Sequence, residues 1–220
     1  MKNKLYRIVY EDAQIIALDK PSGMLVIPTP RMETNTLIDL VNRDLDSRGV
    51  EVNAYPCHRI DRETSGLVIF AKGKAMQTLM MARFKERSVK KTYIAFVHGN
   101  VREDRGTIRK AIYNNKKKRN EDAVTKFRVM ERMKGFTVLE TQPITGRTNQ
   151  IRIHFKKVGH PLVGESVYAF RKDFELKFKR AALHAMRLEF AHPVTGEQLN
   201  LEAPLPEDMR DFIDKTGGKR

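Results

Sequence analysis

Between Thr36 and Asp46 the apolar residues Leu37, Leu40, Val41 and Leu45 recur three and four positions apart, and Gly49 stands where the run stops. That spacing predicts an amphipathic helix. The run Gly66-Leu-Val-Ile-Phe-Ala71 is apolar without alternation, the pattern of a strand buried on both faces. After it, Met76, Leu79, Met80 and Phe84 mark the face of a second helix ending near Arg87. Residues 5–10 and 15–19 are predicted as opening strands, the second closed by the turn sequence Pro21-Ser22-Gly23. Residues 91–98, 106–112, 123–133 and 136–141 are predicted as strands of a meander, with Lys134-Gly135 as the turn between the last two. Residues 148–158 are predicted as a helix with Ile151, Phe155 and Val158 on one face. Strands over 185–190 and 198–203 flank the hairpin loop His192-Pro193-Val194-Thr195-Gly196, and a short helix over 206–215 follows. No linker and no repeat interrupts the chain, so residues 1–220 are expected to form one domain. Strands and helices interspersed without strict alternation predict an α+β fold with a mainly antiparallel sheet.

Charge changes the picture. In 220 residues, 42 Lys and Arg face 27 Asp and Glu, a net +15, which calls for a polyanionic partner. The basic residues cluster at 85–91, at Lys116, Lys117, Lys118 and Arg119, and at Arg171, Lys172, Lys177, Lys179 and Arg180. Each run alone fits a solvated face; together they favour nucleic acid, with a steep salt dependence of binding. With no Trp and few aromatics near these runs, a cleft for one base fits better than an open stacking platform. Apolar runs are far shorter than the ~20 residues that cross a bilayer. The charged N-terminus is unlike a signal peptide, so the cytoplasm and no membrane association are expected. The single Cys57 excludes an internal disulfide and a Cys-based zinc site, and the six histidines lack ligand spacing. No metal is expected.

Two polar segments carry candidate chemistry. His58-Arg59-Ile60-Asp61-Arg62-Glu63-Thr64-Ser65 leads directly into the apolar run at Gly66, so a polar loop is mounted on a core strand. Asp61 stands between two arginines; it and Thr64 either cap a turn or do chemistry. The second segment, Thr145-Gly146-Arg147-Thr148-Asn149-Gln150-Ile151-Arg152-Ile153-His154, is either a capped helix start or a site.

These residues resemble a known family. HRIDRETSGLVIFAK is similar to the HRLDxxTSGLLLxAK signature of the RluA family of pseudouridine synthases. Ile15–Val26 resembles the family's strand and DKPxG loop, Lys91-Thr92-Tyr93 its KxY element, residues 146–154 its GRTHQIRxH motif, and Leu183-His184-Ala185 its LHA strand. The blocks run from about residue 6 to 203 in the family's order. Asn149 departs from the usual His, which removes a titratable group but keeps a donor and an acceptor. The family's N-terminal S4 domain is not expected, because family-like sequence begins within the first ten residues.

The resemblance implies a single catalytic domain built on a mixed, mainly antiparallel bent β-sheet flanked by helices and loops. It implies isomerisation of uridine to pseudouridine in structured RNA, without cofactor or metal. Asp61 would be the catalytic carboxylate, by covalent attack or by proton abstraction to a glycal. Arg152 would pair with it and oppose the effect of burial; Tyr93 would stack on the uracil. Arg59 would fill the space of the flipped base, and Arg62, Thr64, Arg147 and Leu183 are expected substrate contacts from the same blocks. Lys116, Lys117, Lys118 and Arg119 are expected to touch RNA outside the site. His58, His154 and His184 are expected to orient loops, and Cys57 to be a small buried hydrophobe. The competing reading is a catalytically silent RNA-binding or ribosome-assembly factor; a nuclease would want a metal cluster that the spacing does not offer. Ribosomal RNA, transfer RNA or both remain as substrates, and a monomer is expected.

Overall fold

The computed structural model describes residues 5–169 and 174–216. In chain order the elements are β1 (Arg7–Glu11), β2 (Ile15–Lys20), α1 (Leu37–Ser47), β3 (Ala54–Pro56), β4 (Ser65–Lys72), α2 (Lys74–Lys85), β5 (Lys90–His98) and β6 (Arg105–Arg109). They continue with β7 (Ile112–Asn114), β8 (Arg119–Glu121), β9 (Val124–Met133), β10 (Phe136–Pro143), α3 (Gln150–Lys157), β11 (Leu183–Ala191), β12 (Gln198–Glu202) and α4 (Glu207–Thr216). The chain divides into two compact units: residues 1–90 with 185–204, and residues 91–184 with 205–220. It passes from one to the other three times. Among the described residues, no helix is long and apolar enough to cross a membrane.

In the first unit β1, β2, β4 and β11 lie in that order, with β3 beside β4 and β12 beside β11. The pairings β1–β2, β2–β4, β3–β4 and β11–β12 are antiparallel. Residues 65–71 of β4 are all buried, as its unbroken apolar run requires. At Gly66, φ is +107° and a Cβ would sit 2.2 Å from the carbonyl oxygen of Ala185, so only glycine lets the two backbones approach. α1 buries Leu37, Val41 and Leu45 and starts at a capping box in which Asp39 accepts from the N–H and the hydroxyl of Thr36. α2 covers the sheet with Met76 and Met80, which join Cys57, Leu67, Ile69, Leu188 and Phe190 in one core. Each Met, Leu, Ile or Phe side chain among them, when fully buried, contributes ~1.5–3 kcal/mol. Leu79, expected on that face, is 49% exposed: α2 contacts the core through a narrower stripe than the spacing suggested. At the edge, Glu11 bonds both Arg48 and Lys72, and its carboxyl is drawn down to about 2, chiefly by Arg48 and, against burial, by Lys72.

In the second unit the order is β5–β10–β9–β6, with the antiparallel hairpin β7–β8 apart from them. The expected meander is corrected here, since β10 inserts between β5 and β9. The single strand expected over 106–112 is two, because the chain leaves the β6 ladder at Lys110 and starts the hairpin at Ile112. α3 packs Ile151 and Phe155 against Val97, Leu139 and Leu162, whereas Val158 ends up exposed at the C-cap.

Candidate active site

In the first unit the Asp61 loop is tied to the turn that follows β2. Asp61 and Thr64 close a turn through the Thr64 N–H and the Asp61 carbonyl, 3.1 Å. Lys20, 0% exposed, sends its ammonium to the carbonyls of Pro21 (2.8 Å), Met24 (2.8 Å) and Arg62 (3.3 Å). The Gly23 N–H donates to the Arg62 carbonyl (2.8 Å) and the Ser22 hydroxyl to that of Glu63 (2.7 Å). Arg62, expected on substrate, directs Nε to the Gly23 carbonyl at 3.0 Å. His58 accepts from the Ile69 N–H of β4, 3.1 Å, and so pins the loop's start. Thus His58, three residues before Asp61, and the two residues after Asp61 are each held, and a buried cation satisfies carbonyls that would otherwise be stranded.

Arg59 is exposed. Thr64 is buried and its hydroxyl has no hydrogen-bond partner among the described residues, so it does not cap the turn. Cys57 is buried in the core and burial pushes its thiol up to about 12, as suits a small hydrophobe. A cavity of about 550 Å³ opens between Pro21–Leu25, Glu33–Thr36 and Arg62.

In the second unit Tyr93 lies half-buried on β5 opposite Thr141, and Leu183 is packed into the core beside Ala181. Asn149 stands at the start of α3 with φ +53° and ψ +25°, a left-handed conformation that asparagine tolerates better than most residues. Arg152, in the first turn of α3, is buried and forms two parallel bonds to Glu165: Nε to Oε2 and Nη2 to Oε1, both 2.7 Å. Burial pushes the Glu165 carboxyl up, but Arg152 and the backbone N–H groups of Val167 and Tyr168 outweigh it and hold the group below its ordinary value. His154 is fully buried between the Thr125 hydroxyl and the Lys110 carbonyl, and burial lowers its pKa, so it orients the β6–β7 connection as a neutral ring.

The β7–β8 hairpin carries Lys116, Lys117, Lys118 and Arg119, all exposed. Asn114 accepts the N–H groups of Lys116 and Lys117 and shapes the turn. Glu121 links this hairpin to the second motif, bonding Lys117 at 2.8 Å and facing Arg147 at 3.4 Å; Lys117 first, then Asn114 and Arg147, lower its carboxyl to about 2. Arg147 also donates to the Asp122 carbonyl. Of the third basic run, Arg171 and Lys172 lie outside the described residues. Arg180 is buried, paired through two bonds to Asp208, so it leaves the expected surface patch.

Two residues of these arrangements escaped the sequence reading. Glu165 is thirteen positions beyond Arg152, with no periodic relation to it. Lys20 was visible only as part of a motif; its burial was not. Among the described residues no group of three His, Cys, Asp or Glu is placed to hold a metal ion.

The chain matches the family model described as RNA pseudouridylate synthase over residues 14–157. It is 41% identical over 218 residues to the RNA pseudouridine synthase YlyB of Bacillus subtilis (strain 168), covering 94% of this chain and 71% of that protein. It is 34% identical over 229 residues to the ribosomal large subunit pseudouridine synthase D of Xanthomonas campestris pv. campestris, covering 94% and 68%. The solved structure of human RNA pseudouridylate synthase domain containing 4 superposes with a TM-score of 0.81 at 22% identity, covering 95% of this chain and 92% of that one. At that identity the likeness speaks for the fold.

Proposed function

The chain belongs to the RNA pseudouridylate synthase family and is an isomerase that converts uridine to pseudouridine in RNA, and we propose that it does so with Asp61 as the catalytic carboxylate on uridines of large-subunit ribosomal RNA. In this reaction the N1–C1′ bond breaks, the uracil turns, C5 bonds C1′, and the C5 proton is released while N1 regains one. Nothing is oxidised or reduced. Asp61 attacks covalently or abstracts a proton to give a glycal; Tyr93 lies on the uracil; Arg152 supplies the fixed positive charge. Arg59, Arg62, Thr64, Arg147 and Leu183 contact the substrate, and Lys116–Arg119 hold phosphates beyond it.

The observation that carries this reading is the mounting of Asp61. Its loop is bound to a strand buried over residues 65–71 on one side and to the Lys20–Met24 turn on the other, the rigidity that a reacting group needs. The ribosomal target is supported by the relative named for the large subunit. A monomer in the cytoplasm, with both units acting as one catalytic domain, completes the proposal; the family match spans the boundary at residue 90. The test is to map carbodiimide-modified pseudouridines by reverse transcription in cells lacking the gene, complemented with wild type or Asp61→Asn. A stop in large-subunit RNA that returns only with wild type is expected. Stops restored in transfer RNA alone would overturn the target, and no change in either RNA would favour the silent binding factor.

A further inference from the structure

We propose that Glu165, Asn149 and Tyr168 are positioning residues that clamp the guanidinium of Arg152 in one orientation for the reaction. This rests on the reading of Arg152 given above. Three sides of the guanidinium are engaged within the second unit. Its Nε and Nη2 edge meets both carboxylate oxygens of Glu165 at 2.7 Å, its Nη1 approaches the Asn149 side-chain oxygen at 3.4 Å, and its carbon lies 5.4 Å from the centre of the Tyr168 ring. The parts of the clamp are also joined to one another. The Asn149 amide donates to the Tyr168 hydroxyl at 2.7 Å, and Glu165 Oε1 accepts the N–H groups of Ser166 (3.0 Å), Val167 (2.8 Å) and Tyr168 (3.3 Å).

The backbone is shaped to hold this. Glu165 has a side chain 0% exposed, and it follows Gly164, where φ is +77° and a Cβ would lie 2.0 Å from the Arg180 carbonyl oxygen. Only glycine lets the chain pass so close to residue 180 and turn the next carboxylate inward. At the other end, Asn149 accepts a left-handed conformation that places its amide between the ring and the arginine.

Stability alone does not ask for such a set. A buried ion pair costs both partners their hydration, and well-packed apolar residues commonly serve as well. What the pair adds is direction: a planar fork matched to a carboxylate loses its rotamer freedom before substrate arrives, and a charge already oriented needs no reorganisation as the transition state develops. Asparagine also serves here as donor and acceptor at once without titrating, so it can face a tyrosine hydroxyl and an arginine together.

The test compares wild type, Glu165→Gln, Tyr168→Leu and Tyr168→Phe in single-turnover pseudouridine formation at saturating RNA, alongside the dissociation constant for that RNA. The clamp predicts a rate loss of about 10²-fold for Glu165→Gln, a smaller loss for Tyr168→Leu, and partial recovery in Tyr168→Phe, which keeps the ring. RNA affinity should stay within about twofold throughout. If Glu165→Gln fails to fold, Tyr168→Leu is the decisive variant, since Tyr168 is only half-buried. Unchanged rates in folded Tyr168→Leu, or losses matched by equal losses of affinity, would overturn the clamp. A wild-type chain that forms no pseudouridine would instead overturn the functional reading. The clamp is then judged from the Arg152 Nε–H resonance, expected to exchange slowly with water in wild type and much faster in Tyr168→Leu. Equal exchange in both would overturn it.

Discussion

Replacing Lys20 by Met keeps the apolar stem of the side chain and removes only the ammonium. That ammonium makes two bonds of 2.8 Å, to the carbonyls of Pro21 and Met24, and a weaker one of 3.3 Å to the carbonyl of Arg62. Hydrogen bonds to a charged group contribute ~1.5–3 kcal/mol each, so the two short ones sum to roughly 3–6 kcal/mol. Burying an ammonium costs several kcal/mol, and Met is spared that cost. The difference expected is a destabilisation of about 1–3 kcal/mol, which in a chain of this size lowers Tm by roughly 2–12 °C. The effect on turnover should exceed the effect on stability, because the third bond ends on Arg62, next to Asp61. A loop loosened by an ångström costs about 10²-fold in rate. Thermal unfolding and single-turnover pseudouridine formation well below Tm would be measured together. A variant with wild-type Tm and wild-type rate would refute the idea that this buried cation holds the two loops.

Three further outcomes follow from particular contacts. Gly66→Ala should destabilise by about 3 kcal/mol or more in denaturant unfolding, since its Cβ would meet the Ala185 carbonyl; a loss under 1 kcal/mol would mean that β11 yields easily. Exchanging Lys116, Lys117, Lys118 and Arg119 for Gln should reduce the slope of log affinity against log salt by up to about 3, with single-turnover chemistry retained; an unchanged slope would remove the hairpin from the RNA interface. Glu11→Gln should lower Tm at pH 7, corresponding to about 1 kcal/mol for a partly exposed ion pair. The folded carboxyl titrates at about 2 against an ordinary 4.5. Its stabilisation is therefore complete above about pH 4.5 and is lost as pH falls through about 2, so the two melting curves should converge over that interval; a gap independent of pH would contradict the assignment.

Local pattern was legible wherever one element decides its own burial. Leu37, Val41 and Leu45 lie on the buried face of α1 at the spacing the sequence shows, and the unbroken run at 66–71 is a strand covered on both faces. Pattern misled where a partner decides. Leu79 has the spacing of a core residue but faces solvent, because α2 meets its sheet along Met76 and Met80. Arg180 belongs to a basic run but is buried and paired with Asp208, twenty-eight residues away. The order of β5, β10, β9 and β6 could not be read from strands that look alike in sequence. The family motifs named Asp61, Tyr93 and Arg152, yet they did not reveal the carboxylate that holds Arg152 or the lysine beneath the Asp61 loop. Both act through contacts between segments whose sequences carry no trace of each other, and each is recognisable only once burial shows a charge that must be matched.

Whether Asp61 carries the isomerisation is decided by tritium release from RNA labelled at C5 of uridine and lacking the modification, with wild type compared with Asp61→Asn at matched RNA binding. C5 must lose its hydrogen for the new glycosidic bond to persist. Wild type is expected to release tritium and Asp61→Asn none above background; release by the variant at a rate near that of wild type would take the catalytic role away from Asp61.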